Sequence, residues 1–271
     1  MSKFEPPISE VSYAGRRFLT GFHLKIIGIA LMVFDHIYQM FYAHGAPEWF
    51  TWLGRPVASI FLFMCAEGFH YTRSKSRYML LLFVGFQSMN VISTILTFKM
   101  RVEEIALINN IFGTLLVSVI YMLLADMLRQ GVREKKARLV FGALFGAMIP
   151  VAIGILPFAI DDMPVWLKIA MLKYIPNPIS AEGGFFLVTL GVLFHLFRSC
   201  RLIQASLPVA IGAMSYFSTP GDAQWMMCFA AIPILLYNGK KGTEGSAGKY
   251  FFYIFYPAHI YLLYIIAWML T

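Results

Sequence analysis

The chain has 271 residues, of which 59% are hydrophobic, 16% aromatic and only 13% charged. Soluble domains carry about twice that charged share, so the composition excludes an ordinary water-soluble fold and specifies an all-α integral membrane protein. The formal charge of +8 does not point to nucleic acid, because the basic residues gather in short segments between apolar runs, as the positive-inside rule requires.

Met1 to Gly21 is polar, contains Glu5, Pro6 and Pro7, and lacks the apolar h-region of a signal peptide. Residues 1–23 therefore read as a cytoplasmic N-terminal segment and 24–271 as a single polytopic domain. Hydropathy marks about nine spans (roughly eight to ten) around a central polar cavity, each long enough for a ~30 Å hydrocarbon core. They run near 24–43, 55–72, 77–98, 105–128, 138–160, 181–199, 202–219, 222–238 and 249–270. The stretch 164–176 is apolar but too short to cross. With Trp166, Lys168, Lys173 and flanking prolines it reads as interfacial or re-entrant. No inverted repeat is visible in the span pattern. Cys65, Cys200 and Cys228 lie in or beside apolar runs without CxxC spacing, which speaks against a disulfide framework or a metal site.

With the N-terminus in the cytoplasm, 17 of the 22 Lys and Arg residues fall on the inner side, and the C-terminus lies outside. The same basic inner segments either reflect topology alone or hold a polyanionic ligand.

Ionisable residues at membrane depth are expensive and mark functional sites by default. In the first span Lys25 and His36 stand eleven residues apart, on nearly the same helical face with a rise of roughly 16 Å. Asp35 precedes His36 and points about 100° away, so it cannot orient the imidazole from within one helix. Either residue can be a helix–helix hydrogen-bonding group. Alternatively His36 is a membrane-embedded general base, since imidazole titrates near neutrality. Arg55 opens the second span, with Pro56 in its first turn, and Glu67 lies roughly 18 Å deeper. The cluster His70 to Arg77, with Arg73, Lys75 and Arg77, either grips phosphates or forms an ordinary inner loop. Asn109 and Asn110 in the fourth span cross-link helices or line a polar cavity. Glu182 opens the sixth span as a helix N-terminal charge or a cavity group. If Lys249 marks the inner surface in the last span, His259 sits about 15 Å inward, at the depth of His36. Tyr256 shares its face with His259, and Pro257 frees a backbone carbonyl beside them.

The segments LKIIGIALMVFDHIYQMF (24–41), GRPVASIFLFMCAEGFHYTRS (54–74), NNIFGTL (109–115), EGGFFLVTLGVLFHLFR (182–198), LLYNGKKG (235–242) and KYFFYIFYPAHI (249–260), in order over nearly the whole chain, resemble the TraX family of pilin acetylases. TraX proteins look like compact members of a wider transmembrane acyltransferase group, whose signature is a basic residue, ten intervening residues and a histidine. Lys25 and His36 have that spacing, Arg55 corresponds to the group's arginine after the first outer loop, and His259 matches a C-terminal Tyr-Pro-x-His element.

The resemblance implies a bacterial inner-membrane acyltransferase with cytoplasmic acetyl-CoA as donor and no metal. His36, Asp35 and His259 would be catalytic. Lys25, Arg73, Lys75, Arg77 and Lys249 would hold the donor. Arg55, Glu67, Asn109, Asn110, Glu182 and Tyr256 would shape the cavity. The acceptor would be an amine or hydroxyl on a periplasmic or membrane-bound partner, with lipids around the protein. Two other readings stand beside it: a secondary or proton-coupled transporter using Asp35, His36 and Glu67, and a non-catalytic partner in assembling a surface filament.

Overall fold

A computed structural model describes residues 17–103, 105–108, 110–242 and 246–271, with residues 246–250 described through their backbone alone. Its α-helices are α1 (Gly21–Phe41), α2 (Trp49–Tyr71), α3 (Lys75–Lys99), α4 (Ile111–Arg133), α5 (Ala137–Ala159), α6 (Val165–Tyr174), α7 (Gly184–Leu196), α8 (Arg201–Ser218), α9 (Ala231–Leu236) and α10 (Ser246–Leu270). Two 3₁₀ segments, Tyr42–His44 and Ala223–Ala230, complete the described helices. Among the described residues the only β pairing is an isolated bridge between Leu19 and Tyr237.

Among the described residues, six helical segments are long and apolar enough to cross a membrane: Gly21–His44, Trp49–Tyr71, Lys75–Lys99, Ile111–Arg133, Ala137–Ala159 and Phe251–Leu270. The remaining apolar stretches of the expected nine spans are shorter or more polar. α7 has 13 residues, about 20 Å of helix against a ~30 Å core. α8 carries Gln204, Ser206, Ser215 and Ser218 within its length. The 222–238 stretch is a 3₁₀ run followed by a six-residue α-helix. The stretch 164–176 contains the ten-residue α6, none of whose residues is buried. Its C-terminal carbonyls are clipped to α3, where Asn90 Nδ2 donates to Lys173 O (2.6 Å) and Gln87 Nε2 to Tyr174 O (2.8 Å).

Two helix starts differ from the sequence reading for local reasons. α2 begins at Trp49, so Arg55 lies nearly two turns inside it and Pro56 is an interior proline rather than a first-turn one. α4 begins at Ile111, so Asn110 stands at its N-cap rather than inside the span. There the Asn110 amide reaches two partners: Phe86 O at 3.0 Å and Asn90 Oδ1 at 2.9 Å. Asn109 lies outside the described residues.

α1 shows how the sequence builds the centre of the molecule. Thr20 and His23 form a reciprocal capping box that starts the helix. Its buried residues, Gly21, Leu24, Gly28, Met32, His36 and Met40, recur at three- or four-residue steps and form one stripe. That stripe carries His36 inward because the imidazole occupies a core register. Glycines bring α1 and α2 together: a Cβ at Gly28 would meet Phe61 at 3.1 Å, and one at Gly54 would fall 2.3 Å from Asp35 Cγ. Elsewhere, tyrosine hydroxyls tie the C-terminal half of α10 to α3 and its C-cap, with Tyr261 donating to Met89 O and Tyr264 to Met100 O. Large apolar side chains remain exposed along α3 and α5, among them Phe83, Val84, Phe141, Phe145 and Met148. A belt of that size suits lipid and not water.

Candidate active site

α1 and α10 bring two buried histidines into contact. His36 Nδ1 lies 2.7 Å from His259 Nε2, and the rings stack with centroids 4.9 Å apart. His259 Nδ1 is in turn 2.8 Å from Phe255 O, one helical turn back. A carbonyl only accepts, so neutral His259 carries its proton on Nδ1 and offers a lone pair at Nε2. His36 Nδ1 must then be the donor in the pair. The lone pair of neutral His36 is thereby left on Nε2, the position a proton acceptor needs.

Asp35 takes a separate set of partners on the adjoining face of α1. Its Oδ2 accepts from Gln39 Nε2 (2.8 Å) and its Oδ1 from Thr51 Oγ1 (3.0 Å). Arg55 stands 3.9 Å from the same Oδ1, donates to the Thr51 hydroxyl, and reaches Gln224 Oε1 at 3.2 Å. Arg55 Nε is buried with no hydrogen-bond partner among the described residues. Gly54 is what lets Asp35 lie against α2, since no side chain would fit there.

The N-terminus of α4 closes a third side. Helices begin with amides that lack intrahelical partners. Here Asn110 N–H donates to Glu182 Oε2 (3.1 Å), and Ile111 N–H donates to the Tyr256 hydroxyl (3.1 Å). Glu182 therefore serves as an N-terminal charge for α4, where the helix dipole favours it, as well as standing just ahead of α7.

These groups surround a cavity of about 560 Å³ lined by Asp35, His36, Arg55, Glu182, Tyr256 and Gln224, with apolar walls from Val57, Leu187 and Met214. A narrower cavity of about 110 Å³ runs from Lys25 past Met64, Tyr78, Phe252 and Tyr253. Met32, Phe61, Ile111 and Tyr256 line both and form the partition between them. His36 thus faces the larger cavity beside the wall that separates it from the Lys25 side.

Other candidates fall elsewhere. His259 touches His36 but lines neither cavity, so it backs the imidazole from behind. Asn110 lines a separate 310 Å³ cavity under α6, which Glu182 also borders. Glu67, expected in the central cavity, lines neither it nor the Lys25 cavity. It sits at the far end of α2, where Arg201 Nη1 lies 3.6 Å from its carboxylate and stacks on Phe63 and Tyr237. A carboxylate 7% exposed needs such a cation. Lys75, expected to hold the donor, instead bonds Asp126 at 2.8 Å and lies over the Phe69 ring. Asp126 also bonds His195 Nε2 at 2.8 Å. Arg73 and Arg77 are exposed, and the Lys249 side chain lies outside the described residues. Lys25 lies 4.7 Å over the Phe252 ring.

Residues 20–267 match the family model described as "TraX protein". The chain belongs to the TraX family. Among curated proteins, the "Probable fimbrial assembly protein FimC, serogroup H1" of Dichelobacter nodosus is 27% identical over 252 residues, covering 90% of this chain and 94% of that protein. No solved structure matches.

In this TraX-family protein, sequence reasoning passed over Gln39 and Gln224, which line the cavity, and Thr51, which bonds Asp35 and Arg55. Two of them carried a signal. Gln39 stands four residues after Asp35 and Thr51 four before Arg55, the spacing at which helical neighbours meet. Gln224, 169 residues from Arg55, carried none.

Proposed function

We propose that this TraX-family protein is an integral-membrane acyltransferase that moves an acetyl group from cytoplasmic acetyl-CoA to an amine or hydroxyl of an acceptor on the opposite side of the membrane. The observation that carries the reading is His36. It is buried, held in one tautomer by His259, and lines the larger polar cavity beside the wall shared with the cavity that Lys25 lines.

The narrow cavity, with Lys25 at its start and apolar and tyrosine walls beyond, suits a donor with an anionic head and a long uncharged arm. The larger cavity, with Asp35 and Glu182, suits an acceptor that presents N–H or O–H donors. His36 Nε2 takes the proton from the acceptor nitrogen or oxygen as that atom attacks the thioester carbonyl. The new N–C or O–C bond forms and the C–S bond breaks. The sulfur leaves with the electron pair, and the His36 imidazolium returns the proton to the thiolate. Arg55 contributes positive potential where the carbonyl oxygen gains charge. His259 acts as a positioning residue. The relative's description as a fimbrial assembly protein supports a filament subunit as acceptor.

The distribution of Lys and Arg supports a cytoplasmic N-terminus, with the short segments around α7, α8 and Ala223–Leu236 completing nine passages in a bacterial inner membrane. On that orientation Lys25 faces the cytoplasm and the larger cavity the outside.

The test is acetyl transfer from labelled acetyl-CoA to an added amine or hydroxyl acceptor, with purified protein in detergent. His36→Ala lowers the rate by roughly 10²–10⁴-fold while its melting temperature stays near wild type. Unchanged transfer removes His36 from the chemistry.

A further inference from the structure

The loop that follows α9 is built onto the start of α1. Leu19 N–H donates to Leu236 O (3.0 Å) and Asn238 N–H to Leu19 O (2.9 Å). Next, Gly21 N–H donates to Lys240 O (2.8 Å) and Phe22 N–H to Lys241 O (3.0 Å). The first two amides of α1, which the helix itself leaves without acceptors, are thus satisfied by the carbonyls of two consecutive lysines.

The loop's own conformation is specified as closely. Asn238 Oδ1 accepts from Lys240 N–H at 2.9 Å, an Asx turn. Gly239 and Gly242 hold φ of +76° and +85°, a region that glycine adopts freely. A Cβ at Gly242 would fall 2.5 Å from Thr20 Oγ1, and one at Gly21 would meet Lys241 O at 3.3 Å. The side chains of Lys240 and Lys241 are exposed, while their backbone is fixed one turn before Lys25. Lys25 lines the narrow cavity, which shares a wall with the larger cavity that His36 borders.

Three lysines therefore lie close together along the chain path, two on a braced loop and one on the first turns of the helix it braces. Elsewhere, Lys75 bonds Asp126 at 2.8 Å and Arg133 lies 3.8 Å from Glu134. We propose that the loop Asn238–Gly242, with Lys25, is the phosphate anchor of the donor site, and that Lys240 and Lys241 hold the phosphate groups of the nucleotide end of acyl-CoA while its thioester arm enters the cavity. This rests on the acyl-CoA reading above and names the residues that bind the donor's charge. Two ammonium groups on a fixed backbone, each with three donors, match a ligand with several phosphate charges.

Binding of coenzyme A to the purified protein in neutral detergent tests it, with 3′,5′-ADP as a second probe that keeps the nucleotide phosphates and lacks the arm. Lys240→Gln/Lys241→Gln leaves both carbonyl bonds to α1 intact, so its melting temperature stays near wild type. Its affinity for coenzyme A and for 3′,5′-ADP falls by roughly tenfold or more, and its affinity depends less on salt than that of wild type. Arg133→Gln, which removes an inner-face charge away from this loop, binds as wild type does. Equal loss in Arg133→Gln, or full affinity in the double variant, overturns the anchor while leaving the acyl-CoA reading intact. Loss of binding to phosphatidylglycerol nanodiscs with coenzyme A affinity unchanged also overturns it, because the loop would then read lipid headgroups. A wild-type protein that binds no coenzyme A overturns both.

Discussion

Two kinds of polar cluster are built into this helical bundle from the same residue types. Around His36 one imidazole backed by a second, a carboxylate and a guanidinium are gathered, and His36, Asp35 and Arg55 border open volume. Toward the other end of α2, Glu67 with Arg201, and Lys75 with Asp126 and His195, are packed against aromatic rings. Their charges answer one another and fasten helices. Residue types are similar in both, and what separates the proposed reactive site from a structural rivet is whether a cavity reaches it.

The sharpest way to break that comparison is a double dissociation. His36→Ala abolishes nearly all transfer with little change in stability. Arg201→Ala leaves buried Glu67 without its cation and destabilises the protein by about 3 kcal/mol, yet transfer per folded molecule stays near wild type. Thermal melts in detergent alongside the acetyl-transfer assay measure both, and a large rate loss in folded Arg201→Ala would erase the distinction.

A smaller effect is expected behind the base. His259→Ala frees His36 to exchange tautomers, so kcat falls roughly tenfold while KM for acetyl-CoA holds, and His259→Gln recovers part of the rate because its amide oxygen again accepts from His36 Nδ1. A KM change in place of a kcat change would make His259 a binding residue. Gly54→Ala pushes on Asp35 and costs about 1–3 kcal/mol, with a rate loss that exceeds the stability loss because the polar wall shifts. Last comes Asp126→Asn, which keeps a hydrogen-bonding oxygen and removes the charge shared by Lys75 and His195. It lowers stability by about 1 kcal/mol, given the partial exposure of the carboxylate, and leaves transfer unaltered.

Much of this was legible along the chain. The register of α1 is local: apolar residues and His36 recur on one stripe, so the imidazole had to turn inward. His259 at the depth of His36 followed from counting residues in α10, although depth alone could not say that the rings touch. The helix starts at Trp49 and Ile111 were missed because aromatic and asparagine-rich segments at a membrane surface carry little hydropathy contrast. The partners of Glu67 and Lys75 were not legible, because Arg201 and Asp126 are 134 and 51 residues away. Nothing in the chain marks which cation a buried carboxylate will choose.

By itself, then, the sequence determined a helical membrane protein and an ionisable stripe on its first helix, because hydropathy and helical period act over a few residues. Only the tertiary structure decided which polar groups share a cavity, which answer one another's charge, and that the carbonyls of Lys240 and Lys241 cap the helix bearing His36. Those are properties of packing between segments, and packing depends on contacts that no local pattern encodes.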